Sequence, residues 1–467
     1  MSRNSDLVFK HKCSVANSFV DLATFGPGQA GQYSNSQCGK AITYFVADIT
    51  PSSWFTKAVG CMNLNASPVF GMKVQACISR QGDYLLTTWA RIVLPKVELK
   101  EDTKDNVRIR WTKNIGHHIF QDAQICFNGL EAAELTGGFM DFWAAFTVPA
   151  GKRNGYNNMI GNVPTLGLPS RVLESAVLNV PLPFFYTWDT GVSLPTAALP
   201  YNEIHLDLQL RNWDELLIRD DITSPDEKQY SDCVPLIDLV TEPKLLQFEV
   251  FGHYALVSNE ERNKMGCGQR DIVVTQMQEA THLRLSCQAP RDCTEQCLRF
   301  SHGVTSIFFG ARNTTVPCQW ANYTAGSPVP GDGTLDTDNG RYFTDPIAYA
   351  SVCYENSEKI ALSSDFFSLV EPYYWAPVIP LETGYHLYTY SLDFTSIQPE
   401  GETNFSKLNN VQLQLECSTD AATVGAEGWK AERATGAPVT QKFELETYVV
   451  NRNIAKIAGG AWGFAYN

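Results

Sequence analysis

The chain has 467 residues, with 36 lysines and arginines against 50 aspartates and glutamates, a formal net charge of −14 and a pI near 5.1. Duplex nucleic acid is held by a basic face that releases counterions from phosphates; with acids in excess and no basic run longer than two residues, direct nucleic-acid binding and genome wrapping are disfavoured. At roughly 150 residues per domain, the length suggests two or three domains, each able to bury a core without metal or disulfide staples. Charged residues make up 18% of the chain, below the usual ~25%, and aromatics make up 12%. Rings fit best on the pleated, half-buried surface of a sheet, so composition leans toward an all-β protein.

Lys10 and Lys12 stand where a signal peptide needs its apolar stretch, and no segment reaches about 18 apolar residues. The expectation is a protein neither secreted by that route nor membrane-spanning. Thirteen cysteines is an odd number, so at least one thiol stays unpaired, and a reducing cytosol predicts that nearly all do. Cys61, Cys77, Cys126 and Cys353, beside apolar or aromatic neighbours, read as small buried residues.

Strand patterns recur along the chain: 41–49, 84–94, 107–111 and 123–127 come first. The clearest is 204–210, where Ile204, Leu206, Leu208 and Leu210 share one face and His205, Asp207 and Gln209 the other. Residues 213–218 are expected to form a helical turn or two, and the Asp-, Ser- and Pro-rich stretch 219–244 an interdomain connection. Strand 248–257 follows, then a short helix opened by a capping box at Ser258 and Glu261. Further strands are predicted at 306–310 and 385–394, with a long polar loop at 328–340 between them. Residues 411–415 repeat the alternation of 204–210, which hints at two similar units. The predicted organisation is an N-terminal arm 1–18, a first unit 19–218, the connection 219–244 and a second unit 245–467. Short turn-bounded strands indicate sandwiches and not βαβ units.

No chemical motif survives its context. Gly26, Gly28 and Gly31 satisfy G-x-G-x-x-G, but Pro27 interrupts it and a turn sequence follows where a helix N-terminus would have to meet the phosphates. Cys287, Cys293, Cys297 and His302 carry zinc-type ligand atoms without the tight C-x-x-C spacing. A cupin-like metal site needs His-x-His on one strand face, and His117 and His118 are adjacent, so on a strand they would point apart. Asp332, Asp336 and Asp338 lack the glycine and terminal glutamate of an EF-hand, and the pair Asp214 and Glu215 is unremarkable on a surface. No catalytic, cofactor-binding or metal-binding residue is assigned, and no enzyme activity or cofactor is expected.

Several phrases in order along the chain resemble the major capsid proteins of nucleocytoplasmic large DNA viruses, most of all the iridovirus-like branch. They are FVDLATF from Phe19, WFTK from Trp54, GDYL from Gly82, RWTKN from Arg110, KRNGYNNMIG from Lys152, PLPFF from Pro181 and LPTAALPYNE from Leu194, then YEN from Tyr354, GYH from Gly384 and QPEGETNFS from Gln398. The resemblance implies two tandem eight-stranded jelly rolls with short helical inserts in loops. It also implies a homotrimer forming a six-cornered capsomer that contacts neighbouring capsomers and minor capsid proteins. Such capsomers tile an icosahedral virion shell over an internal viral membrane, assembled in host cytoplasm without direct nucleic-acid contact. There the sequons at Asn65, Asn313, Asn322 and Asn404 are expected to stay bare. Aromatic, proline-bearing segments 181–185 and 372–377 are expected at loop ends contributing to subunit contacts. A carbohydrate-binding or carbohydrate-active β-sandwich is the alternative, and it needs an exposed aromatic platform. Trp54, Trp89 and Trp111 lie in or beside strand patterns and read as core.

Overall fold

A computed structural model describes residues 45, 47, 49, 51–221, 230–287, 289, 291–325, 345–419, 421–422 and 441–465. The arm 1–18, the glycine motif at 26–31, most of the strand expected at 41–49 and the loop 328–340 lie outside the described residues. The chain divides into Met1–Trp54 and Phe55–Asn467. In the former, Trp54 is exposed and not core. The account below concerns the latter.

Eight strands build the first half: β1 (Phe55–Cys61), β2 (Lys73–Cys77), β3 (Tyr84–Leu94), β4 (Phe120–Phe127), β5 (Leu130–Thr136), β6 (Ala176–Pro181), β7 (Ile204–Leu210) and β8 (Gln247–Val257). They form one sheet in the order β1-β8-β3-β6 and another containing β2-β7-β4-β5. The second half repeats the scheme with β9 (Arg270–Glu279), β10 (Cys293–Cys297), β11 (Gly303–Asn313), β12 (Ile347–Tyr354), β13 (Ser357–Ser363), β14 (His386–Thr389), β15 (Val411–Cys417) and β16 (Phe443–Ala458). Its sheets run β9-β16-β11-β14 and β10-β15-β12-β13. In each half the first, eighth, third and sixth strands face the second, seventh, fourth and fifth, which is a jelly roll. The two echoed sequence patterns, 204–210 and 411–415, are the seventh strand of their respective jelly rolls. The fourth and fifth strands of both halves close through two-residue turns with positive φ at each position, Asn128 and Gly129 at 52° and 79°, Glu355 and Asn356 at 50° and 62°. This is the type I′ geometry whose twist matches paired strands.

Strand pairing moves one boundary. β8 hydrogen-bonds to β1 on one side and β3 on the other, so it completes the first jelly roll although it falls in the expected second unit 245–467. The polar stretch before it is an excursion from the first half and not a bare connection. Leu217–Asp221 and Tyr230–Cys233 pair as strands with each other, and the former also with Val107–Trp111. Hence the helix expected at 213–218 is a turn followed by a strand, because Leu217 and Ile218 gain ladder partners at Trp111 and Arg110. The crossover between jelly rolls is α3 (Asn259–Cys267), where the Ser258 side chain accepts from the Glu261 amide, as the capping box predicts.

The two longest helices beyond α3 were not expected from the sequence: α1 (Gly137–Thr147) and α2 (Ala150–Ile160). α1 begins with two glycines and then runs Phe-Met-Asp-Phe-Trp-Ala-Ala-Phe, so it carries no polar stripe and little charge. That pattern belongs to a helix buried on nearly every side, which periodicity alone does not separate from a strand. Thr136 caps it by accepting from the Phe139 amide.

Candidate functional site

Burial is continuous across the two jelly rolls. On β11, Ile307, Phe309 and Ala311 point into the second-half core, while Phe308 joins the core that also holds β3, β4 and β7. On β16, Leu445 and Val449 face the second core, and Tyr448 and Val450 face the first half. All residues of β11 are buried. A strand covered on both sides makes its sheet the shared wall between the halves.

α1 fills the seam. Phe142 lies 5.0 Å, ring centre to ring centre, from both Tyr323 and Tyr385 and 5.6 Å from Tyr448. Trp143 stacks on Trp188 at 4.2 Å, and Phe146 lies 5.5 Å from Phe308. Two glycines allow this approach: a Cβ on Gly310 would come within 2.7 Å of the Phe142 ring, and one on Gly138 within 2.2 Å of the Tyr448 hydroxyl. Polar groups close the remaining gap. Buried Glu446 forms an ion pair with Arg312, its Oε1 2.5 Å from Nε, and its Oε2 accepts from the Tyr323 hydroxyl at 2.8 Å and from the Tyr448 hydroxyl at 3.1 Å. Burial works against the Arg312 charge, and Glu446 together with Tyr323, Glu444 and Tyr448 outweighs it. Both tyrosines are raised, by burial first and then by Glu446. Arg211, from the first half, sits 3.5 Å over the Trp320 ring and Arg312 4.4 Å from it, so one indole is shared by a guanidinium from each half. A disulfide, Cys233 to Cys318, also joins the halves, and a second, Cys287 to Cys417, lies within the second jelly roll.

These bonds correct the expectation of nearly all-free thiols: Cα separations of 5.7 and 5.5 Å bring each pair within disulfide reach. Among the cysteines read as buried, Cys126 and Cys353 are, whereas Cys61 and Cys77 are exposed on outward strand positions. The zinc-type set does not converge. Cys287 is bonded to Cys417, Cys293 and Cys297 point outward from β10, and the His302 amide donates to Ser406 Oγ. Segment 181–185 is core, since Leu182, Phe184 and Phe185 are buried, while in 372–377 Tyr373 and Tyr374 are 68% and 67% exposed. Trp111 is core as expected, but Trp89 is half-buried, its ring stacked on Phe251 at 5.5 Å. The sequon residues Asn313 and Asn322 are buried, so neither could carry a glycan without unfolding.

His117 and His118 do not diverge. They occupy a helical turn, Ile115–His118, where successive side chains are about 100° apart, and both reach Asp141 of α1. His117 Nε2 is 2.7 Å from the Tyr156 hydroxyl, and its Nδ1 hydrogen-bonds to Asp141. His118 Nε2 lies 2.7 Å from the other carboxylate oxygen. Burial pushes His118 below the ordinary imidazole range more than Asp141 lifts it. Burial pushes Asp141 up, and the two imidazoles outweigh it, holding the carboxyl below its usual range. Acid therefore destabilises through both groups. The unfolded chain protonates His118 at about pH 6.5 while the folded chain resists, so that contribution is present above about 6.5 and lost below it; the Asp141 contribution is lost only below about pH 4. Melting temperature should fall as the pH drops below about 6.5. His118→Asn should flatten that fall. An unchanged slope in the variant would place the acid sensitivity elsewhere.

Sequence comparison matches this geometry. Residues 43–256 match the family described as major capsid protein N-terminus, and residues 261–463 match the large eukaryotic DNA virus major capsid protein. The major capsid protein of Invertebrate iridescent virus 6 is 42% identical over 468 residues, spanning 97% of this chain and 98% of that one. The chain belongs to this capsid protein family. The major capsid protein of Tipula iridescent virus is 41% identical over 460 residues, covering 96% of this chain and 97% of its own, and that of Frog virus 3 is 35% identical, covering 96% and 98%. Among solved structures, the PBCV-1 virus capsid shares the fold with a TM-score of 0.72 at 20% identity, over 91% of this chain and 100% of that one. The Faustovirus major capsid protein gives 0.65 at 12% identity, over 90% and 93%. This capsid protein is thus a double jelly roll with a structural role in the virion shell, and not an enzyme. The carbohydrate-binding alternative finds no support in these relatives.

Proposed function

We propose that the chain acts as a homotrimer with a six-cornered outline, joined to neighbouring capsomers and minor capsid proteins above an internal membrane, and assembled in host cytoplasm. The observation that carries this reading is the repeated strand order, welded by a buried seam: three rigid two-barrel blocks about a three-fold axis present six similar corners. We take the first jelly roll to run through β8 and the second from β9 onward, a division that the strand pairing supports.

Two exposed apolar flanks suit head-to-tail closure, in which different surfaces of each copy meet and the ring closes. One, in the first half, carries Leu236, Ile237, Val240 and Leu246; the other, in the second half, carries Val370, Tyr373, Tyr374 and Leu381. We assign each flank to the other flank of a second copy. Exposed apolar and aromatic side chains are the kind that the cores of obligate interfaces bury, and such interfaces cover about 2,000 Å² or more. Light scattering should report about three times 51.9 kDa for the soluble protein. Ile237→Arg combined with Tyr374→Arg should shift the mass to that of one chain. A monomeric wild type would overturn the trimer, and a trimeric double variant would overturn this choice of flanks.

A further inference from the structure

On the outer face of the first jelly roll, strands β4 and β7 bring a thiol, an imidazole and a carboxylate together. His205 and Asp207 are two residues apart on β7 and share a face, and Cys126 of β4 stands opposite His205 in register. One ligand atom from each, the Cys126 sulfur, a His205 ring nitrogen and an Asp207 carboxylate oxygen, lie within 4.8 Å of one another. Asp207 is only 7% exposed. Lys73 holds its Oδ2 at 3.0 Å, while Oδ1, 3.7 Å from His205 Nε2, is buried with no hydrogen-bond partner among the described residues. A buried carboxylate oxygen lacking a donor is costly, and this one sits in the same cluster as the sulfur and the ring.

The surroundings add negative charge. Glu131 of β5 pairs with Cys126 across the strands, and Asp122 lies two pairs along the same ladder from Gln124 and Asp207. Burial raises the Cys126 thiol, and Asp207 and Glu131 raise it further. Burial also raises Glu131, and Asp122 adds to it. A bound cation would reverse each of these effects and supply the partner that Asp207 Oδ1 lacks.

We propose that Cys126, His205 and Asp207 bind one divalent cation of the zinc class, with water in a fourth position. The mixed sulfur, nitrogen and oxygen set selects a borderline-soft ion, since calcium and magnesium favour all-oxygen shells. Ligand bonds of about 2.0–2.3 Å require the three atoms to draw together from their present spacing by small side-chain rotations. The ion would clamp two neighbouring strands on a face that the capsid fold otherwise leaves without a chemical role.

The test uses the full-length protein, reduced, stripped with chelator and titrated with Co²⁺ as a spectroscopic stand-in. One equivalent per chain should produce a thiolate-to-cobalt charge-transfer band and intense tetrahedral ligand-field bands, displaced by one equivalent of Zn²⁺. Cys126→Ser should abolish the charge-transfer band, and Asp207→Asn, which preserves shape, should weaken binding by at least about tenfold. Cys297→Ser, which removes an exposed thiol of the second half, should change neither. Circular dichroism of the metal-free variants separates lost ligation from lost folding, and if Cys126→Ser fails to fold, Asp207→Asn carries the decision. Wild-type binding no tighter than that of folded Asp207→Asn, or a charge-transfer band that survives Cys126→Ser, would overturn the site.

Discussion

Glu446→Ala should lower stability by about 3–5 kcal/mol, because it leaves Arg312 charged and buried in the seam without its carboxylate. Arg312 would keep its 2.7 Å contact with Glu444, but that partner is about one-third exposed and screened by solvent, so it compensates only in part. The Tyr323 and Tyr448 hydroxyls would lose their shared acceptor as well. Removing a single donor is a smaller change: Tyr448→Phe should cost about 1 kcal/mol, the net worth of one neutral hydrogen bond, with somewhat more if the charged acceptor dominates. Denaturant titrations of the soluble protein at one fixed concentration provide the measurement. A Glu446→Ala loss no larger than that of Tyr448→Phe would mean that the seam charge is solvated and not structural.

Phe142→Ala should cost a comparable 3–5 kcal/mol, the usual range for removing a buried ring, through lost transfer energy plus the cavity left among Tyr323, Tyr385 and Tyr448. Its position makes a second effect expected. Tyr323, Tyr385 and Tyr448 belong to the second half and Phe142 to the first, so the deletion weakens contacts between jelly rolls more than contacts within either. Wild-type unfolding should follow one cooperative transition, and the variant should separate into two as the halves lose their mutual support. Followed by tryptophan fluorescence, a single transition shifted to lower denaturant would still support the packing cost but would remove the claim that this ring couples the halves.

Much of the strand layout was legible in the sequence, and the reasons are local. Residues 204–210 and 411–415 alternate strictly because each buries one face, and both proved to be the seventh strand of a jelly roll. Strands at 84–94 and 107–111 coincide with the expected limits, and the Ser258 capping box marked its helix, since a cap is a bond between residues three apart. Collinear family phrases carried the capsid reading. The two Asn-containing turns at 128–129 and 355–356 were available signals of hairpins that the sequence reading did not use.

What eluded the sequence depends on partners far away in the chain. Aromatic content and period-two alternation pointed to an all-β protein, because each follows from residue chemistry or from neighbours a few positions apart. They say which side of a strand is dry but not what dries it. Only the tertiary structure decided that β11 along its length and β16 over its first half are buried on both faces, that β8 closes the first jelly roll, and that an apolar run at 137–147 is a helix filling the seam. The same holds for the convergence of His117 and His118 on Asp141, for the pairing of Cys233 with Cys318, and for Cys126 opposite His205. Each of these joins residues more than twenty positions apart, and strand register and chain crossover, which set such meetings, are fixed by the packing of the whole and not by any local run of residues.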